Sequence, residues 1–322
     1  MSPSPATPPT LILPFAGALS DAGRQALHGL PLPQLERLLA RLVPGKRDEG
    51  DEFSLSPPHE RARAALLGWQ AADGCLPWAA HLAKHLAKHL AAQAGLPPGD
   101  AAWGLLTPAH LHVGTEQVSM EDPAALQLDE AGSRELLAIV RPLFDSEGFT
   151  LHWLSPLQWL ATHDSFDGLP TASLDRVIGR NIDPWLTEQR AVRLLRRIQN
   201  EVQMLMYTHP LNDAREAAGL PTVNSFWLSG TGRAQPAAAA DLQIDDRLRR
   251  PALTEDWASW REAWAALDAG PLAALARAPG PLRLVLCGER HAQTFETAET
   301  SLWQRLSARW RGPSAPTVLD SL

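Results

Sequence analysis

The sequence predicts an α/β protein, or a mixed α+β one, built on a mixed sheet flanked by helices. Two observations favour this class: short apolar runs typical of buried strands alternate with Ala- and Leu-rich stretches of helical spacing, and no repeat of fixed period occurs. The chain has 322 residues, 45% hydrophobic and 20% charged. This composition allows a large core, in one large domain or two ordinary ones.

The charge pattern limits the classes of partner. The net charge is −7 and no block of five or six like charges occurs, so neither nucleic acid nor an anionic membrane is an expected partner. The apolar run from Leu11 to Phe15 is too short for a signal-peptide core or a membrane span, and a cytoplasmic location is expected. Cys75 and Cys287 lie far apart, which predicts buried thiols rather than a zinc knuckle or a disulfide framework.

Residues 1–102 are predicted to form a mainly helical N-terminal αβ part. The predicted elements are a buried strand in 10–15, helices in 30–44 and 59–70, and a strong Ala/Leu helix in 78–95. Gly95 and Pro97 are expected to end the last helix, because Gly suits a left-handed residue there and Pro cannot continue the helix. The charged and Ser/Pro-rich run 46–58 predicts a surface loop.

Residues 103–235 form the second predicted part, and residues 236–322 a C-terminal αβ part that packs with the first. The middle part is predicted to contain strands in 103–114 and 116–120, a helix capped by Asp129 or Ser133, and a hairpin turning at Ser155 and Pro156. A long amphipathic helix follows, with one stripe formed by Leu194, Ile198, Val202 and Leu205. The C-terminal part is predicted to contain a Trp-rich helix in 253–270, a strand in 282–288 and a final helix in 301–310.

Several histidines have spacings that could serve a metal site. They are His81, His85 and His89 along one helix face, His110 and His112 on one face of a strand, and His291 just past a strand's carboxyl end. The first set repeats Ala, Lys and Leu with the same period and brings no carboxylate or Cys, which favours a solvated helix face. The second set lacks a third ligand, and a surface loop is the simpler interpretation of His291.

The segment "HPLNDAREAAGLPTVNSFWLSGTG", residues 209–232, combines polar, aromatic and glycine residues. Asn212 is expected to cap a short helix that ends at Gly219, with Pro221 beyond it. Residues 222–229 then predict a strand, and 230–233 a tight loop whose N–H groups and Arg233 could receive an anion.

Caps and turns do not explain His209, Arg215, Asn224 and Trp227. A ligand-binding site is therefore predicted, with Arg215 and Arg233 binding a phosphate or carboxylate because guanidinium groups suit anions. Its predicted members are His209, Asn212, Arg215, Asn224, Trp227, Gly230, Gly232 and Arg233.

Residues 200–233 resemble a segment of archaeal-type, cofactor-independent phosphoglycerate mutases, which belong to the alkaline phosphatase superfamily. In that family a helix leads to a His-Pro-x-Asn-x-x-Arg motif, followed by a Gly-x-Pro-x-Asn-x-x-Trp stretch and a Trp-Gly-x-Gly loop. The matching residues are His209, Pro210, Asn212, Arg215, Gly219, Pro221, Asn224, Trp227, Gly230 and Gly232. The resemblance covers residues 103–235, including the paired strands in 148–163.

The chain as a whole also resembles a group of bacterial proteins labelled as Rpf-type regulatory proteins or as phosphoglycerate mutases. The phosphomutase resemblance implies two metal ions held by Asp and His, and a Ser or Thr nucleophile. This sequence has Phe15 and Ala16 where the family has an Asp-Gly-type motif, and near its C-terminal end only Glu289 and Glu296 accompany His291. A degenerate, non-catalytic descendant is expected, with regulatory or ligand-binding function and without a cofactor.

Two alternatives stay open at this point. One is an active phosphoglycerate mutase or phosphatase that uses Mn or Mg, held by scattered residues such as Asp164, Asp167, His110 and His291. The other is an interaction module that docks through Trp257, Trp260 and Trp264, although this spacing is also that of an ordinary buried helix face. If the chain is instead the non-catalytic binding protein, its expected partner is a phosphorylated small molecule or a protein.

Overall fold

A computed structural model describes residues 8–90, 100–115, 117–186, 190–297 and 314–322, without the side chains of 85–90, 190 and 191. Contacts divide the chain into two compact units. Unit 1 comprises Met1–Glu52, Pro57–Trp69 and Ala237–Leu322, and unit 2 comprises Phe53–Ser56 and Gln70–Pro236.

The described residues form the following elements. The strands are β1 Thr10–Leu13, β2 Val43–Glu49, β3 Ala102–Ala109, β4 Leu111–Val113, β5 Val118–Met120, β6 Thr150–Ser155, β7 Gln158–Thr162, β8 Ser225–Arg233, β9 Leu242–Ile244, β10 Arg283–Cys287 and β11 His291–Glu296. The helices are α1 Asp21–Leu27, α2 Pro33–Leu39, α3 Pro58–Leu66, α4 Trp78–Leu90, α5 Glu130–Asp145, α6 Leu174–Val177, α7 Arg190–Tyr207, α8 Pro210–Ala217, α9 Arg249–Leu253, α10 Trp257–Leu267, α11 Ala273–Arg277 and α12 Ala315–Asp320. The predicted helix in 301–310 and the predicted stop at Gly95 and Pro97 lie outside the described residues.

Unit 1 is built on a five-stranded mixed sheet in the order β2-β11-β10-β1-β9. Strand β1 is parallel to both of its neighbours, whereas β11 is antiparallel to β10 and β2. Leu11 and Leu13 pack on one face with a large cluster of helical residues, and Ile12 packs on the other with Ala62 of α3. The mixed sheet flanked by helices confirms the predicted fold class.

The Trp-rich helix α10 lies in the core of unit 1. Trp260 and Trp264 are fully buried, and the Trp260 indole N–H donates to the carbonyl of Phe15 at 3.0 Å. The spacing of these residues therefore reflects a buried helix face rather than an exposed docking surface.

The prediction of a surface loop over 46–58 is wrong in its first part, because Lys46–Glu49 belongs to β2. This strand lies at the edge of the sheet and pairs only with β11 among the described strands. Charged residues are tolerated at such an edge since their side chains reach solvent, and Asp48 forms a 2.7 Å ion pair with Arg61. Local composition does not report this long-range pairing.

Unit 2 contains a four-stranded antiparallel sheet in the order β6-β7-β3-β8, and β4 and β5 form a separate hairpin. Helices α5 and α7 contribute to the apolar cluster on one face, and α4 packs Ala79, Ala80 and Ala83 with Trp103 on the other. The long helix is confirmed, and Leu194 packs partly buried against the apolar cluster, but the predicted stripe is wrong at Leu205. The buried positions are Leu195, Ile198, Val202 and Met206, whereas Leu205 is 37% exposed.

Ser133, on the first turns of α5, is a hydrogen-bonding centre buried in unit 2. Its hydroxyl donates to the carbonyl of Pro156 at 2.7 Å and accepts from the indole N–H groups of Trp153 and Trp159, both at 3.0 Å. The helix begins at its cap, Asp129, one of the two residues predicted for that role. Ser133 instead joins the helix to the β6–β7 hairpin.

Among the described residues, no helix combines the length and the apolar character needed to span a bilayer. Both cysteines are free thiols. Cys287 is buried as expected, and Cys75 is only half-buried.

Replacing Ser133 by Ala is expected to lower the free energy of unfolding by about 2–4 kcal/mol, because two indole N–H groups and a carbonyl lose their partner. Urea unfolding followed by the near-UV circular dichroism of tryptophan measures this loss. Ser146→Ala, at the residue that follows the same helix, is the control, since this hydroxyl is exposed, and it should change stability by about 0.5 kcal/mol or less. Equal stability of the two variants would contradict the role given to Ser133.

Candidate functional site

The segment that leads into β8 is held by side chains bonded to backbone groups. His209 is the N-cap of α8, where its Nδ1 accepts from the amide of Leu211 at 3.2 Å. Pro210 follows at the first helical position, which suits a residue without an N–H. Gly219, with a φ of +70°, lies just past the helix end as predicted.

Asn212 is not the cap that the sequence predicts. It lies inside α8 and is 4% exposed, because the cap position is taken by His209, three residues earlier. The Asn212 amide donates to the carbonyls of Met206 and Val223 and accepts from the amide of Val223, all at 2.9 Å. This side chain therefore links the end of α7 to the entry of β8.

Arg215 and Asn224 make similar links. The Arg215 guanidinium donates to the carbonyl of Pro221 at 2.8 Å and to that of Leu126, and partial burial lowers its pKa below the ordinary value. The Asn224 amide accepts from the N–H of Leu111 and donates to its carbonyl, at 2.8 and 2.9 Å. Both residues thus fix the chain just before β8.

The predicted loop over 230–233 is wrong, because these residues continue β8. The strand can follow this path since Gly230 and Gly232 adopt φ values of +63° and +134°. A Cβ on Gly230 would lie 3.0 Å from the Cβ of Trp78, so the glycine also allows α4 to approach closely. The register shifts opposite this stretch, as in a β-bulge.

Arg233 lies at the exposed end of β8. It forms a 2.8 Å ion pair with Asp167, which raises the pKa of the guanidinium, and it donates to the carbonyl of Asp100. Seven of the eight predicted site residues therefore lie near the entry or the far end of one strand rather than around one shared opening, and Trp227 lies between them. That they bind a ligand stays a prediction.

A cleft lies beside the middle of the same strand, where β8 forms the edge of the sheet. Its walls are residues 170–172 with Trp185 and Leu186, one face of α7, and residues 226–228 of β8. The space measures about 410 Å³, including the part that opens to solvent. Trp227 is the only one of the eight predicted site residues that lines it.

The polar groups of the cleft are few and well placed. Pro108, opposite Phe226 in β3, has no N–H, so this pair exchanges no ladder hydrogen bonds. The Phe226 carbonyl accepts from Nε2 of Gln199 at 2.9 Å. The Trp227 indole N–H donates to the carbonyl of Ala172 at 2.9 Å. The carbonyl oxygen of the Gln199 side chain has no hydrogen-bond partner within the described ranges.

Sequence reasoning missed Gln199, Trp185 and the apolar face that joins them. The available signal was the helical spacing of Val192, Leu195 and Gln199 at i, i+3 and i+7, which places one amide on an otherwise apolar face of α7. The chain segment that forms the opposite wall is brought there by tertiary packing, which local sequence does not report.

In α/β sheets, ligands commonly bind at the carboxyl ends of the parallel strands. In unit 1 this place is covered by another segment of the same chain. Gly17 follows β1 and Gly288 follows β10, at the carboxyl ends of two parallel strands. A Cβ on either glycine would collide with the backbone at Leu319 or Leu322 of the C-terminal segment. The cleft in unit 2 is therefore the stronger candidate.

The residues considered as metal ligands are not brought together in the described parts of the chain, where no group of three or more His, Cys, Asp or Glu residues is placed to hold an ion. His110 Nδ1 is 2.8 Å from the carbonyl oxygen of Thr222, Asp167 pairs with Arg233, and His291 lies in unit 1 at the start of β11. The side chains of His85 and His89 lie outside the description.

No protein-family model and no curated protein matches the chain. Among solved structures it is similar to a cofactor-independent phosphoglycerate mutase from Thermoplasma acidophilum DSM 1728, at 12% identity and a TM-score of 0.36 over 98% of each chain. It is also similar to the PH0037 protein from Pyrococcus horikoshii, at 11% identity and a TM-score of 0.43, over 91% of this chain and 88% of that one. Similarity at this level transfers no activity, ligand or metal.

Replacing Arg215 by Ala is expected to lower the free energy of unfolding by about 1.5–3 kcal/mol, because two carbonyls lose a charged donor. Arg193→Ala is the control: this arginine is exposed, makes no ion pair with a described residue, and should contribute about 0.5 kcal/mol or less. Thermal and urea unfolding measure both variants. An unchanged stability for Arg215→Ala, together with a loss of ligand binding, would instead identify Arg215 as a recognition group.

Proposed function

We propose that this chain is a non-catalytic, ligand-binding protein with a regulatory role, and that its ligand lies in the cleft beside β8. The observation that carries the proposal is the carbonyl oxygen of Gln199, which no described residue bonds, in a mostly apolar cleft with two tryptophans. Small-molecule sites commonly combine apolar and aromatic walls with a few polar groups that orient the ligand. The ligand class that fits is a small molecule with an apolar ring and a hydrogen-bond donor.

The cleft suits a flat ring that is only partly enclosed. A closed apolar cavity of about 150 Å³ is sufficient for benzene. The comparable enclosed space beside β8 is about 50 Å³, and the full 410 Å³ includes space that opens to solvent. A ring between the α7 face and Trp185 would displace water from apolar surface, which favours binding by about 25 cal/mol for each Å² removed from water.

The predicted site residues then act by positioning β8. Asn212, Arg215 and Asn224 hold the entry of the strand, and Gly230 lets its far half pack on α4. Trp227, between these two anchors, is the member of the set that would contact the ligand directly. The resemblance of residues 200–233 to a phosphomutase segment supports descent from such an enzyme, with the supporting structure retained.

Replacing Val192 by Phe is expected to block the cleft, because the larger ring would fill its α7 wall. Indole is a suitable probe, since it offers one apolar ring system and one N–H donor for Gln199. Titration of the protein labelled with ¹⁵N-tryptophan should shift the indole signals of Trp185 and Trp227 in the parent chain, and no longer in V192F.

Met204→Phe is the matched control for this experiment, because Met204 lies on the same helix and is 78% exposed. This variant should bind indole as the parent does, and both variants should keep the parent's melting temperature within a few degrees. Binding of indole to V192F with unchanged affinity would place the site elsewhere. Turnover of 3-phosphoglycerate with added manganese, above a metal-stripped control, would contradict the non-catalytic role.

A further inference from the structure

Helix α7 carries several arginines whose surroundings differ. Arg197 is paired with Glu147 and with Glu201, the latter at 3.5 Å. Arg193 and Arg196 are exposed and form no ion pair with any residue in the described ranges. An arginine on a helix surface is commonly balanced by a carboxylate three or four residues away, as Arg197 is by Glu201.

The position of Arg196 connects it to the cleft. It follows Val192 by four residues and precedes Gln199 by three, and both of these residues line the cleft. Side chains at these spacings are neighbours on a helix surface, so Arg196 lies at the solvent side of the α7 wall. The wall residues themselves, in all three segments, are uncharged.

From this arrangement we infer that the cleft binds an aromatic anion, with the ring inside and its acidic group at the rim on Arg196. This inference rests on the proposed function and adds the charge of the ligand. The ring matches the apolar walls, and a planar guanidinium can bind a carboxylate or a phosphate through two parallel hydrogen bonds. A carboxylate or phosphate buried deeper would meet only neutral walls, which explains why the charge belongs at the opening.

Three ligands that share the indole ring and its N–H donor test the inference: indole-3-carboxamide, which is neutral, indole-3-carboxylate, and indol-3-yl phosphate. Dissociation constants from the ¹⁵N-tryptophan titration are compared for the parent chain, Arg196→Gln and Arg197→Gln. Indole-3-carboxylate or indol-3-yl phosphate should bind the parent about two- to fivefold more tightly than indole-3-carboxamide, which is the range of an exposed ion pair. The preference should decrease at 0.5 M salt, because exposed charges are screened.

Arg196→Gln should remove the preference and leave indole-3-carboxamide binding unchanged, whereas Arg197→Gln should keep it. The anion that keeps the larger preference identifies the acidic group as carboxylate or phosphate. Equal binding of all three compounds to the parent chain would overturn the inference and leave the proposed site intact. Failure of all three compounds and of indole to bind would overturn the proposed function itself.

Discussion

The amide of Asn212 connects three backbone groups at the junction of α7 and β8, and the geometry of the cleft depends on that connection. It bonds to Met206 at the end of the helix and to both polar groups of Val223, two residues before the strand. Backbone groups in a buried position cost free energy when they are left without partners, so the amide fixes helix and strand relative to each other. The α7 wall and the β8 wall of the cleft are thereby held at one separation.

The same segment shows how a polar motif can be informative without contacting a ligand. His209 begins α8, Arg215 closes the loop after it, and Asn224 is bonded to Leu111 in β4. Each of these side chains satisfies backbone groups that belong to no regular ladder. Such residues fix where the chain enters β8, and Trp227 of this strand then lines the cleft.

Much of the fold could be predicted from local patterns. Strand β1, the β6–β7 hairpin, α5 with its Asp129 cap and the Trp-rich α10 follow from apolar spacing and capping chemistry. The errors arise where distant residues decide the outcome. Residues 46–49 form a strand because β11 lies beside them, and residues 230–233 continue β8 because their far end pairs with β3.

The candidate site was harder to predict from the sequence, because distant residues decide its geometry too. Its residues come from four separated stretches of the chain, and the local sign in α7 was a glutamine on an apolar helix face. The role of Arg196 also required knowledge of which face of α7 forms a wall. By contrast, Trp227 was singled out from the sequence alone, since its type and neighbours are unusual in an Ala- and Leu-rich chain.

The edge position of β8 also bears on whether this sheet could pair with a second chain. A free strand edge can template pairing with a second chain and thereby start aggregation. Here the Gln199 side-chain amide donates to the Phe226 carbonyl, as the N–H of a neighbouring strand would. Trp185 and residues 170–172 lie beside the rest of this strand edge. One end of the Gln199 amide thus faces the cleft, and the other end bonds a strand-edge carbonyl that a second chain could otherwise pair with.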